Sequence, residues 1–333
     1  MSPRPECSGP INITHRFTAN RVKKSHQATN RTENAVQLAR NIEKKLNATR
    51  DAQVQRLPFL AQRFVFLHEL GTGVFLCKDI KAKKRIMCRV FRSSCSDIVE
   101  AHFRLSSHPF INKLHGVIRR GDKTFVFSPM PYDDLLSYVR RTKTLSEQHA
   151  RYLFRQICLI VKSCHENGIV LRDLKMRKFV FNDLRFKILK LELLMDAVVL
   201  KDPSDDLLRE KRGCPVYVAP EILKPSETYY GKAADMWSLG VILYTMLVGR
   251  YPFNDQQHTR LFAKISRGEF SIPESLSPEA RCMIRSLLIQ DPQKRLTADD
   301  ILHHPWMTCD MNSEASSKAN LSPTDQCVPE FNA

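Results

Sequence analysis

Asp173 and Lys175 stand two residues apart in the run Leu171-Arg172-Asp173-Leu174-Lys175. A carboxylate held in a structured loop can accept the proton of an attacking hydroxyl. Upstream, Gly71-Thr72-Gly73 could turn a backbone close to a phosphate. Together these residue types suggest phosphoryl transfer. That chemistry also demands cradled phosphates, two magnesium ions held by protein ligands and an oriented hydroxyl. Metal chemistry of another kind finds no support. The ten cysteines include no Cys-x-x-Cys pair, and no Cys/His cluster has ligand spacing. They read as reduced core thiols of a nucleocytoplasmic protein.

The elements that must position these groups follow from periodicity. Phe64–Leu67, Arg85–Phe91 and Thr124–Phe127 are short β-rich apolar runs, and they predict an antiparallel sheet. From Ala150 the period changes to that of a helix. Residues 151–165, 233–248, 276–290 and 298–302 carry apolar side chains at helical spacing. Asp291-Pro292 separates the last two. The expected fold is α+β and bilobal: a small antiparallel β lobe over 59–131 and a larger helical lobe over 132–307. Residues 1–58 hold 11 Lys/Arg and 4 Asp/Glu with few apolar positions, and residues 308–333 are polar and lose periodicity. Both read as flexible tails, and Arg21, Lys23 and Lys24 form a weak import-like cluster.

Ordered landmarks carry a resemblance to protein kinases. Leu171-Arg-Asp-Leu-Lys175 resembles the catalytic loop, and Ala219-Pro-Glu221 the end of the activation segment. Asp235-Met-Trp-Ser-Leu-Gly240 is similar to the helix that anchors that loop from below. Asp291-Pro292, Arg295 and His304-Pro-Trp306 resemble the end of the large lobe. The resemblance implies a buried Glu221–Arg295 ion pair as a structural tie.

It also fixes where the chemistry should sit, and there the chain departs from the pattern. The third loop glycine is Leu76, and the strand lysine is Arg89, a bulkier fork in place of a point charge. The helix glutamate falls on Val99, with Glu100 one place and about 100° away. One magnesium ligand becomes Lys178. The other falls on Leu193 in Leu193-Leu194-Met195, with no carboxylate at the position unless Glu192 or Asp196 substitutes. The adenine-binding donor of the hinge falls on Pro131, which has no N–H, with Met130 as the one-residue alternative. Asp173 and Lys175 are then vestigial. No Mg-ATP, no other cofactor and no enzyme activity are expected.

Leu171-Arg-Asp-Leu-Lys-Met-Arg-Lys-Phe-Val-Phe181, Lys190-Leu-Glu192 with Asp196-Ala197, and Met246-Leu-Val-Gly-Arg-Tyr-Pro-Phe253 are similar to Tribbles pseudokinases. So is the tail. Asp325, Gln326, Val328, Pro329 and Glu330 resemble the Tribbles peptide that docks on the WD40 propeller of a RING-type E3 ubiquitin ligase. The resemblance implies a scaffold whose lobe captures a CCAAT/enhancer-binding (C/EBP-like) transcription factor while the tail brings the ligase, so that the substrate is degraded in nucleus or cytoplasm. Two alternatives stand beside it. One is inhibition of MAP kinase kinases or Akt by direct binding, through Ile301, Leu302, His303, His304, Pro305 and Trp306 or through another surface of the lobe. The other is a weak metal-independent transfer using Asp173. The departures are Arg89 for the family's usual lysine, and Leu193-Leu194-Met195 for its Ser-Leu-Glu.

A net charge of +17 creates a positive field, which draws acidic proteins, nucleic acid or anionic lipid without choosing among them. Neither membrane nor nucleic acid is expected among the partners. No apolar run is long enough to span a bilayer, and Met1-Ser-Pro-Arg-Pro5 lacks the apolar core of a secretory leader.

Overall fold

The computed structural model describes residues 59–60 (backbone), 63–92, 95–225 and 228–308. The expectations placed on 1–58 and on the tail peptide 325–330 lie outside the described residues.

The first lobe is a sheet. Strands β1 (Phe59–Leu60), β2 (Phe64–Gly71), β3 (Val74–Asp79), β4 (Lys84–Phe91), β5 (Gly116–Arg120) and β6 (Lys123–Pro129) pair in the order β1-β2-β3-β4-β6-β5, all antiparallel. Alternation sets its two faces. Phe64, Phe66, Cys77, Ile86, Cys88 and Phe127 meet on one side as a buried cluster, with Phe64 stacked on Phe127 at 3.8 Å. The opposite side looks onto the cleft between the lobes. There Leu76 pairs across with Met87, and Met87 with Ser128. Helix α1 (Ser96–Arg104) follows β4.

The second lobe is helical. Helix α2 (Leu135–Thr142) is capped by Asp134, whose carboxylate accepts from the Ser137 N–H, and α3 (Glu147–Glu166) is capped by Ser146. Short strands β7 (Asp133–Asp134), β9 (Phe179–Phe181) and β10 (Leu189–Leu191) form a small sheet, while β8 (Ile169–Val170) pairs with β11 (Val198–Val199). The hairpin β12–β13 joins Leu207–Leu208 to Tyr229–Tyr230. Helices α4 (Pro220–Leu223), α5 (Gly231–Val248), α6 (His258–Arg267), α7 (Pro278–Leu287), α8 (Ala298–His303) and α9 (Pro305–Thr308) complete the lobe.

Helix α5 is apolar around most of its circumference, which is the pattern of a helix enclosed by others. Trp237, Leu239, Val241, Ile242, Leu243 and Met246 are fully buried in the main core. A Cβ at Gly240 would come within 2.9 Å of the Leu287 Cβ, so the glycine sets how closely α5 approaches α7. The helix starts two residues before the periodicity predicts, at Gly231-Lys232, and α3 starts four residues before, because its first turn, Glu147-Gln-His149, is polar. The lobe ends on Trp306, fully buried, whose Nε1 donates to Glu147 at 3.0 Å.

Candidate functional site

Asp235, on the buried face of α5, holds the loop from below. Its Oδ2 accepts from the Leu171 N–H at 2.8 Å and its Oδ1 from the Arg172 N–H at 2.9 Å, and His165 Nε2 lies 3.0 Å from Oδ2. These bonds stabilise an unusual backbone, since Arg172 sits at φ 60° without being glycine. The loop then delivers Asp173, Lys175 and, through a 3-10 turn over Met176–Lys178, Lys178 to the cleft.

Four cations and three carboxylates interleave there. Lys175 Nζ is 2.6 Å from Asp173, and Lys178 Nζ is 2.7 Å from Asp196 and 3.3 Å from Asp173. Arg89, reaching down from β4, places Nη2 2.6 Å from Glu192. Arg172 donates through Nε to the Asp196 carbonyl at 2.6 Å. Burial pushes the Asp196 carboxyl up, but Lys178, backed by Lys175 and Arg172, outweighs it and holds the group below the ordinary carboxylate range.

This amends one expectation. The stretch 192–196 does bring carboxylates into the cleft, from Glu192 and Asp196 on either side of Leu193. Each is already matched by a cation of this chain. Leu193 itself is buried against Cys95, Ile98 and Val126, with Val99 packed beside them. The position is apolar because it belongs to a small core beneath α1. Glu100 turns away and pairs with Arg104 at 2.6 Å, so Arg89 takes its partner from the other lobe.

Other parts of a nucleotide site are also occupied or missing. Leu76 and Met87 are only 6% and 5% exposed, so side chains already cover the cleft face of the sheet. In the hinge, Pro131 offers no N–H and the Tyr132 N–H is spent on the Phe181 carbonyl at 2.8 Å. Asp173 Oδ1 is buried without a partner among the described residues. Asp173 also lines, with Arg212, Gly213, Cys214 and Tyr217, a void of about 10 Å³, room for a single water. Lys178 and Leu193 thus stand where the resemblance expects the two magnesium ligands, and no step through Mg-ATP follows.

The activation segment is anchored by its own acid. The Glu210 carboxylate accepts from Arg172 at 3.1 Å and from Arg212 at 3.0 Å, which hold it below the ordinary range. The Tyr229 hydroxyl donates to the Glu210 carbonyl at 2.9 Å. Further on, Glu221 and Arg295 form the expected pair, bidentate at 2.7 and 3.1 Å, with the Arg295 side chain fully buried.

The segment 301–306 is largely structural. Ile301 and Trp306 are fully buried in the main core, while Leu302 and His304 are half-buried. Only His303 and Pro305 of the six are exposed, since the motif turns its large apolar side chains inward. Sequence reasoning also missed His102. It lies on the buried face of α1, and its Nε2 accepts from the Leu194 N–H at 3.3 Å. Burial lowers its pKa to about 4. Its place on the inward face of a short helix was the one available signal.

A β lobe and a helical lobe, with a loop hung from a buried aspartate, define a protein kinase fold, and the protein kinase domain family matches residues 65–307. Among characterised relatives, Tribbles homolog 2 of Canis lupus familiaris is 47% identical over 272 residues, 81% of this chain and 79% of that protein. Tribbles homolog 1 of Homo sapiens is 47% identical over 253 residues, 76% and 68% of the two chains, and Tribbles homolog 3 of Bos taurus is 43% identical over 264, 79% and 73%. This chain belongs to the Tribbles family.

Proposed function

We propose that the chain is a catalytically silent adaptor. Its helical lobe captures a protein substrate, a transcription factor or signalling protein. Its tail recruits a RING/WD40 E3 ubiquitin ligase in nucleus or cytoplasm, and the substrate is degraded. The observation that carries the silent half is the ammonium of Lys178 between Asp173 and Asp196, where phosphoryl transfer needs a divalent cation. The adaptor half rests on family membership and on residues 325–330, whose Val328-Pro329 suits an extended apolar anchor. Joining two binding ends in one chain raises the local concentration of each partner on the other and needs no chemistry. The buried Ile301 and Trp306 weigh against the rival reading, inhibition of kinases through segment 301–306.

The test is a pulldown of the ligase's WD40 domain by the full chain. Replacing Val328 and Pro329 with Ala should abolish capture and leave the thermal midpoint unchanged. Capture that survives both substitutions would refute the tail assignment.

A further inference from the structure

The positive charge of this chain is gathered at one end. Residues 1–92 hold 19 Lys/Arg and 6 Asp/Glu, a net +13 of the total +17. The remaining 241 residues are close to balanced, with 33 basic and 29 acidic side chains. Within the sheet lobe this excess centres on the β3–β4 hairpin, Lys78-Asp-Ile-Lys-Ala-Lys-Lys-Arg85.

The hairpin is built to face cations outward. Its single acid, Asp79, is fully buried. Both of its oxygens are engaged by Arg63, at distances down to 2.7 Å, and Oδ1 also accepts the N–H groups of Lys81 and Ala82 at 3.0 and 3.1 Å. Those contacts, the Arg63 bond first, hold the Asp79 pKa at about 2. The turn is thereby fixed from within, and the Ile80 N–H donates to the Arg63 carbonyl at 2.9 Å. Lys78, Lys81, Lys83, Lys84 and Arg85 are all exposed. Lys78 and Arg85 sit directly opposite each other across the strands, a like-charge pair that weakens the sheet. At the tip, among the lysines, Ile80 stands 43% exposed. Strand β1 continues the same rim, with Phe59 opposite Val65 and Val65 opposite Lys78. The backbone of Phe59, where the described residues begin, therefore lies on the hairpin's side of the sheet.

We propose that the β3–β4 hairpin is a docking surface for an anionic phospholipid membrane. Lysine ammonium groups are point charges suited to a diffuse layer of phosphate and carboxylate headgroups. An apolar side chain at the centre of a cationic ring can enter the headgroup boundary. Nucleic acid is the less favoured polyanion: residues 78–85 contain no aromatic side chain on which an unpaired base could stack, and a duplex offers no apolar layer for the exposed Ile80. This departs from the expectation that no membrane is among the partners. It is independent of the ligase reading.

The experiment is co-sedimentation of the full chain with vesicles of phosphatidylcholine alone or with phosphatidylserine added, over a range of salt. The chain should pellet with the anionic vesicles, remain in solution with the zwitterionic ones, and detach as salt rises. Each cation reversed should weaken binding at least about five-fold. Lys78→Glu has a second readout, since it turns the like-charge pair into an ion pair. It should raise the thermal midpoint while lowering vesicle binding. Ile80→Ser should weaken binding about three- to ten-fold without changing its salt dependence. Lack of vesicle binding overturns the proposal. So does binding that is unchanged in Lys78→Glu/Lys81→Glu/Lys84→Glu, which would assign it to segment 1–58. Hairpin-dependent binding to duplex DNA without vesicle binding would replace the lipid by nucleic acid.

Discussion

The Lys178 ammonium lies 2.7 Å from the carboxylate of Asp196 and 3.3 Å from that of Asp173. One side chain thus satisfies two acids that would otherwise repel each other in a partly buried cleft. The cation that holds Asp196 ionised is covalently part of the chain.

Lys178→Met should therefore destabilise the fold rather than awaken it. Removing the ammonium leaves Asp196 without its main partner, at an expected cost of about 1–3 kcal/mol in urea unfolding at pH 7. The sign with pH is defined. Asp196 is held below its ordinary pKa, so its contribution is present above the unfolded value and lost as pH falls through the folded one. In the variant burial is opposed only by Lys175 and Arg172, so protonation becomes easier and the deficit against the parent should shrink on acidification. A deficit that persists unchanged as pH falls below the ordinary carboxylate value of 3.8 would mean that the ion pair is not its source.

His102 should set part of the acid sensitivity from higher pH. Its folded pKa of about 4 lies below the usual 6.5, so the unfolded chain binds a proton in that interval and the folded one does not. Stability is then full above pH 6.5 and falls as pH drops toward 4, with up to about 1–3 kcal/mol from this group. His108, His115, His149 and His304 are also lowered by burial and add to the slope. His102→Leu should flatten the curve of stability against pH between 6.5 and 4 without abolishing the slope. An unchanged slope would argue against a buried neutral imidazole.

Nucleotide should leave the thermal midpoint where it is. A ligand that binds the native state at ten times its dissociation constant adds about 1.4 kcal/mol of stability, which a thermal shift detects readily. Titration with ATP into the millimolar range, with and without magnesium, should give no shift. A shift that requires magnesium would contradict the assignment of Lys178 and Leu193, and one without magnesium would contradict that of Leu76 and Pro131.

The helical lobe was legible in the sequence because its elements signal locally. The apolar period of α5 and the Glu221 and Arg295 landmarks stand in short runs of sequence, whereas α2 (Leu135–Thr142) was too short to announce itself by period. The departures at Leu76, Arg89, Lys178 and Leu193 were legible for the same reason. The pairing of the charges was not. Arg89 meets Glu192 across 103 positions, and no local pattern reports that contact. Asp79 reads as one more surface acid in a basic hairpin, although the fold buries it beneath Arg63. The outward bias of the lysines around it follows from a contact sixteen residues away.

Glu210 and Arg172 carry a consequence for timing. Many kinases order this segment by phosphorylation, a charge that one enzyme adds and another removes. Here the negative charge is a glutamate, present from synthesis onward. No phosphatase can withdraw it, so the charge that supports this arrangement is present for the lifetime of the polypeptide. Its duration in the cell is then governed by how fast the protein is made and destroyed.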